Sequence, residues 1–366
     1  MNTDALSGVL HFRSVLKRSA DRRTAALVAS GTRSTRLSAN ESPYGPLPSV
    51  LKAIQSAASE INRYPDDDHT ALVAALAARF DVPPTHVAVG CGSAGVLQMV
   101  LEALGEPGAE VVYAWRSFGA YQLLVGLSGA TAVEVPLADD THDLIAMANA
   151  ITDKTRAVII CNPNNPTGTT VSRAELERFL NEVPTDCLVV LDEAYREYVQ
   201  DEDFPDGLSL CRGRPNVAVL RTFSKAYGMA GLRVGFLVGD PAVVAAVRAA
   251  RLPFSVTSIA QAAAIASLAA EDELVSRVES TVAERDRVRG VLLAQGWSVP
   301  PSGGNFLWLP LGEATASYFA ACQAAGVHVR AFGADGIRVS IGLPDENDAF
   351  LDLAAAAAEQ KMRPAR

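Results

Sequence analysis

Lysine carries a primary amine on a flexible stem, and one lysine of this chain stands among residues that could put that amine to chemical use. In Arg221-Thr-Phe-Ser-Lys-Ala-Tyr-Gly-Met-Ala-Gly-Leu-Arg-Val-Gly-Phe236, Lys225 follows the hydroxyls of Thr222 and Ser224, and Arg233 comes eight residues later. A carbonyl cofactor needs a primary amine to form an imine, and a phosphate needs hydroxyls and a fixed guanidinium. Gly228 and Gly231 let the backbone pass closely. A lysine-to-arginine spacing alone would read as a surface charge pattern. Its place after a core-type strand, with hydroxyls beside it, favours a site.

Three further stretches carry compatible chemistry. Cys161-Asn-Pro-Asn-Asn-Pro-Thr-Gly-Thr169 follows an apolar run and forces a loop at a strand's carboxyl end, where open α/β sheets bind ligands. A plain turn explains one Pro and the Gly, but not two Asn-Pro pairs. Val190-Leu-Asp-Glu-Ala-Tyr195 closes an apolar strand with an acidic pair. A carboxylate there could hold a protonated pyridine nitrogen, or serve as a metal aspartate or a helix cap. The nucleotide reading fails, because no GxxxxGK[ST] occurs. Gly90-Cys-Gly-Ser-Ala-Gly95 precedes an apolar helical stretch, and free N–H groups at a helix start can cradle an anion.

These groups need a scaffold, and the sequence outlines one. Short apolar runs recur at 86–90, 110–113, 131–135, 157–161, 187–191, 217–220 and 234–238, bounded by Gly, Pro, Asn or Asp. Such runs suit strands buried on both faces, with helices such as 71–79 as crossovers. The expected fold class is α/β, with a mostly parallel, helix-covered central sheet. Residues 260–294 read as one long helix with Arg285, Arg287 and Arg289 on its polar side. Strands are then expected at 297–299, 305–309, 327–329 and 337–341, with Ala-rich helices, as a smaller α+β domain. The expected division is an arm over 1–40, a large domain over 41–255 and a small domain over 256–366.

Composition narrows the classes. The 366 residues are 49% hydrophobic and 20% charged, as in ordinary globular proteins. A net charge of -9 disfavours nucleic acid as a partner. Five scattered cysteines form no CxxC pair, so neither a disulfide framework nor a metal site is expected, and a reducing cytoplasm fits. No apolar run approaches the ~18 residues of a membrane span. A ligand-sensing regulator on such a fold would need a DNA-binding domain, for which residues 1–36 are expected to be too few.

The four stretches in this order resemble the class I and II aminotransferases of fold type I, which use pyridoxal 5′-phosphate (PLP). LSANESPYGP (37–46), NRYPD (62–66), GGNFLWLP (303–310) and IRVSIGLPDENDAFL (337–351) resemble the histidinol-phosphate aminotransferase branch, including actinobacterial aromatic amino acid aminotransferases. The resemblance implies that Lys225 binds the cofactor covalently and shuttles a proton. It pairs Asp192 with the pyridine nitrogen, sets Tyr195 and Asn165 on the ring's 3′-oxygen, and stacks Phe118 on the ring. The N–H groups of Gly92, Ser93 and Ala94, with Thr222, Ser224 and Arg233, would hold the phosphate. Tyr64 would reach the cofactor phosphate of a neighbouring subunit, implying a homodimer with shared sites. Arg338, helped by Arg330, would clamp the substrate carboxylate, with Tyr44 and Asn40 at the entrance.

The implied reaction moves an α-amino group from an amino acid to a 2-oxo acid. Aromatic donors come first, received by a wall of Tyr44, Phe118, Tyr227 and Phe254. Histidinol phosphate comes second, and decarboxylation or a specialised biosynthetic donor stays open. Family members usually carry a Tyr-x-Pro-Gly-like segment ahead of LSANE, whereas residues 1–36 contain neither Tyr nor Pro.

Overall fold

The computed structural model describes residues 35–362. The expected arm falls almost wholly outside them. Twelve strands are formed among the described residues. They are β1 (Thr35–Arg36), β2 (Val87–Gly90), β3 (Glu110–Trp115), β4 (Thr131–Pro136), β5 (Thr155–Cys161), β6 (Leu188–Asp192), β7 (Val217–Thr222), β8 (Gly235–Val238), β9 (Phe306–Leu309), β10 (Val327–His328), β11 (Arg330–Phe332) and β12 (Gly336–Ser340).

All seven apolar runs join one sheet, in the order β2-β8-β7-β6-β5-β3-β4. β4, β3, β5, β6 and β7 run parallel, and β8 lies antiparallel between β7 and β2. Alternate residues of one strand feed opposite faces. In β5, Ala157, Ile159 and Cys161 pack with the helices Gly92–Leu104, Ala120–Ser128 and Pro241–Ala249. Val158 and Ile160 pack the other way, against Leu144–Asn149 and Arg173–Glu182. Burying one such side chain contributes about 1.5–3 kcal/mol, which is why unbroken apolar runs mark these strands. β4 is the exception: as an edge strand it buries only Val135.

The smaller α+β unit is an antiparallel sheet, β11-β12-β9, packed against Glu271–Ala294, Thr315–Ala324 and Pro344–Met362. It departs from expectation in four places. The long helix is two, Ser258–Ala269 and Glu271–Ala294, broken at Ala270; Glu271, Asp272 and Glu273 favour a fresh helix start. Arg285 is buried, donating to the carbonyls of Tyr198 and Gly304, while Arg287 faces out to Glu284 and Asp348. Residues two apart on a helix are separated by roughly 200°, so the two could not share a face. Residues 297–299 form no strand, since Pro300 and Pro301 follow and remove ladder donors. β11 went unread because its residues Arg-Ala-Phe show no alternation.

Candidate active site

The parallel strands deliver their carboxyl ends to one edge of the sheet. Asp192 ends β6, Thr222 ends β7, and the turn after Gly90 of β2 starts the helix Gly92–Leu104. β8 enters at that edge, so Gly235 pairs with both Gly90 and Thr222, and Arg233 lies just before it. Between these ends and β12 sits a cavity of about 200 Å³.

One end of the cavity is built for an anion. Ser93 and Ala94 line it at the start of a 13-residue helix, whose unpaired N–H groups carry a partial positive charge. Gly92 takes φ +74°, and a Cβ there would collide with the guanidinium of Arg233. Arg233 itself adopts φ +56° and donates from Nη1 to Ser224 Oγ (3.1 Å) and the Ala230 carbonyl (2.9 Å). Gly235 is equally confined: an added Cβ would strike Ser93 N and lie 2.6 Å from Gly92 C.

Lys225 lines the middle. Its Nζ donates to the carbonyls of Ala39 (3.1 Å) and Asn40 (3.2 Å). Burial, then Arg338 and Arg233, push the amine down to about 7, against the pull of Glu41 and Asp192. A substantial neutral fraction therefore exists near neutrality, as nucleophilic and proton-moving work requires. At the far end, Asp192 accepts from Tyr121 Oη at 2.6 Å through Oδ2, while the buried Oδ1 has no partner. Burial raises this carboxyl to about 6, opposed by the Tyr121 hydrogen bond.

Arg338 closes the cavity from β12. It is 7% exposed, donates to the Ser38 carbonyl (2.6 Å) and to Asn165 Oδ1, and lies between the rings of Phe306 and Phe332. Its Nε is unpartnered, and no carboxylate pairs with it among the described residues. Burial lowers it to about 10. Tyr195 Oη accepts from Asn40 Nδ2 at 3.0 Å, and burial pushes its hydroxyl up to about 12.

Lys225, Asp192, Tyr195, Asn165, Phe118, Ser93, Ala94, Thr222, Ser224, Arg233 and Arg338 thus share one cavity, with Gly92 beneath the Arg233 guanidinium and Asn40 behind Tyr195. Other expected residues lie apart. Tyr64 is 82% exposed and stacks on Phe254 at 4.6 Å. Tyr44 lies by Arg277, and exposed Arg330 pairs with Arg338 in the β11–β12 register. The expected aromatic wall needs correction: Tyr227 packs on core Phe223, and Phe254 faces outward, so of that set only Phe118 lines the cavity. The rings beside the Arg338 guanidinium are Phe306 and Phe332, neither of which lines the cavity.

The cavity fits PLP on three counts: a partnerless buried carboxylate oxygen for a pyridinium proton, a glycine-cleared helix start for the phosphate, and a buried lysine whose amine is lowered to about 7. A model of aminotransferase class I and II matches residues 32–352. The chain belongs to this family. An aromatic amino acid aminotransferase of Thermobifida fusca is 65% identical over 322 residues, 88% of this chain and 90% of the relative. One of Streptomyces coelicolor is 57% identical over 324 residues, with the same shares. The solved histidinol-phosphate aminotransferase of Sinorhizobium meliloti, in complex with pyridoxal-5′-phosphate, superimposes with a TM-score of 0.84 at 31% identity and covers 97% of each chain.

This class I and II aminotransferase holds site residues that the sequence did not reveal. Tyr121 is the hydrogen-bond partner of Asp192, and Cys161 lines the cavity from β5, in register with Asp192. The signal for Tyr121 was its place three residues after Phe118, one helical turn on, in WRSFGAY. Among the described residues no cluster suited to a metal ion occurs, and no helix is long and apolar enough to cross a membrane.

Proposed function

We propose that this aminotransferase uses PLP on Lys225 to move the α-amino group of an aromatic amino acid to a 2-oxo acid. The observation that carries the cofactor reading is a pair of groups lining one cavity: buried Asp192 Oδ1 without a donor, and Arg233 beside a helix start. PLP, when bound, supplies the conjugated ring that withdraws the electron pair released at the substrate's α-carbon. The protein's residues do the rest. Lys225 Nζ moves the proton, Asp192 carries the charge that keeps the ring nitrogen protonated, and Tyr195 and Asn165 orient the ring's 3′-oxygen. Arg338 binds the substrate carboxylate, because a buried guanidinium without an acid is an open anion site.

The aromatic preference draws on the names of the two bacterial relatives. Histidinol phosphate is the second reading, favoured by Arg330 standing opposite Arg338, since two guanidiniums suit a phosphate. Single-turnover rates decide between them, read by the absorbance change as the cofactor takes up the amino group. At least one of phenylalanine, tyrosine and tryptophan outruns histidinol phosphate; histidinol phosphate faster than all three by about tenfold, or 1.4 kcal/mol, overturns the assignment.

The working unit is a homodimer in this reading, with Tyr64 serving the partner's phosphate. Its support is that Tyr64 and Phe254 form an exposed ring stack outside their own chain's cavity, with exposed Ile61 and Leu252 near in sequence. Mixing Lys225→Ala and Tyr64→Phe chains should restore some complete sites. Activity no higher than the parents' weighted mean, with exchange verified, rejects the shared site.

A further inference from the structure

Asp192 has two carboxylate oxygens, and the protein treats them differently. Oδ2 accepts from Tyr121 Oη at 2.6 Å, whereas Oδ1 is buried and free. Tyr121 does not line the cavity and reaches the carboxylate from the core side. Its ring is fully buried and fixed edge-on by Tyr113 (5.6 Å) and Phe118 (5.5 Å). Phe118 does line the cavity, and Tyr121 N donates to the Phe118 carbonyl at 2.9 Å. One helical turn at the start of Ala120–Ser128 therefore sets both a cavity wall and the direction of the carboxylate.

We propose that Tyr121 is a positioning residue: by occupying Oδ2 it turns Asp192 so that Oδ1 alone meets the cofactor's ring nitrogen. This rests on the reading that Asp192 serves that nitrogen. The surroundings make the hydroxyl consequential. The other groups facing Asp192 are Glu193 beside it, Cys161 opposite it on β5, the Ala194 N–H, Tyr195 and Lys225. Burial raises the Cys161 thiol to about 12, and Tyr121 is raised well above its usual range, so both stay neutral. Tyr121 and the Ala194 N–H are thus the hydrogen bonds that favour the ionised carboxylate, against burial and Glu193. Without Tyr121 the carboxylate is more basic and draws the shared proton away from the ring nitrogen.

The test is Tyr121→Phe, which keeps the ring packing and removes only the donor. Wild type, Tyr121→Phe, Asp192→Asn and the double variant are loaded with PLP carrying 15N in the ring. NMR then reports ring-nitrogen protonation without turnover. In Tyr121→Phe the resonance should move toward that of neutral pyridine, as the proton's distribution shifts about ten- to a hundredfold toward Oδ1. kcat should fall by a similar factor with KM little changed, and Tyr121→Phe should add almost nothing once Asp192 is Asn. A resonance and kcat like wild type in Tyr121→Phe, with Asp192→Asn moving both, overturns the role of Tyr121 and leaves Asp192 in place. An unmoved resonance in Asp192→Asn removes Asp192 from the ring nitrogen, and the proposal with it.

Discussion

Gly235→Ala probes the proposed phosphate cradle with a single methyl group. Gly235 sits where β8 passes under the start of the helix Gly92–Leu104, and the atoms its Cβ would meet are main chain. Ser93 N is in collision, Gly92 C is at 2.6 Å and the Arg221 carbonyl oxygen at 3.0 Å. Ordinary contact begins at 3.4 Å, so the helix start must retreat from the strand by about 0.8 Å or more. Main chain inside a sheet-and-helix joint cannot swing aside as a side-chain tip can, and overpacking of this kind costs about 1–3 kcal/mol. The same movement displaces Ser93 and Ala94 relative to Arg233, which is fixed separately through Ser224 and Ala230. PLP affinity should therefore fall roughly ten- to a hundredfold, measured by titrating the cofactor-free protein and following its absorbance. Gly239→Ala is the control. It lies just past the other end of β8, and its Cβ would meet chiefly the Ala218 methyl at 3.1 Å. It should lower the melting temperature and leave PLP affinity alone. Unchanged affinity in Gly235→Ala, or equal losses in both variants, would refute the cradle assignment.

Other outcomes follow from the same physical terms. Arg221 donates to buried Glu193 from Nε (3.0 Å) and Nη2 (2.7 Å), so Arg221→Met leaves that carboxylate unpaired. It should lose about 3–5 kcal/mol in denaturant unfolding, and a loss below 1 kcal/mol would contradict the pairing. Asp192 has its folded pKa raised from 3.8 to about 6, so the folded state binds the extra proton in that window and stability falls as pH rises through it. Cofactor-free Asp192→Asn should therefore be more stable than wild type above about pH 6, by on the order of 2 kcal/mol, while losing most turnover. Equal melting temperatures at pH 7 would count against a buried, uncompensated charge. Gly290 is exposed within the helix Glu271–Ala294 with open space around it, so Gly290→Ala should stabilise by about 0.5–1 kcal/mol in thermal unfolding with kinetics unchanged.

What the sequence conveyed depended on whether a residue's type reveals its role. The sheet was legible because strands buried on both faces must be apolar along their length, and all seven runs became neighbours in one sheet. Lys225, Asp192 and Arg233 were legible as cavity residues because an amine, a carboxylate or a guanidinium at or just beyond a strand end has few structural reasons to be there. Arg338, in the middle of β12, was reached only through the family resemblance. Tyr121 was not legible. A tyrosine among apolar neighbours fills a core as a phenylalanine would, and only the fold shows that its hydroxyl meets a carboxylate from another strand.

The acceptors that hold Lys225 are less legible still. They are the carbonyls of Ala39 and Asn40, and every residue has a carbonyl, so no side-chain type could mark them. The same segment supplies the Ser38 carbonyl to Arg338 and the Asn40 amide to Tyr195, while Asn305 Nδ2 donates back to the Asn40 carbonyl. Residues 38–40 therefore join the lysine at the sheet edge to the arginine of the smaller unit, largely through main-chain atoms. Asn40 manages this at φ +53°, a left-handed conformation that Asn tolerates better than most residues. In LSANE, then, the residue types record a backbone shape, and the distance between the Lys225 amine and the Arg338 guanidinium depends on that shape being kept. In the proposed reaction a substrate must span that distance, so residues 38–40 help to hold the site to the spacing of an α-amino group and its own carboxylate, although the contacts they make are mostly to protein.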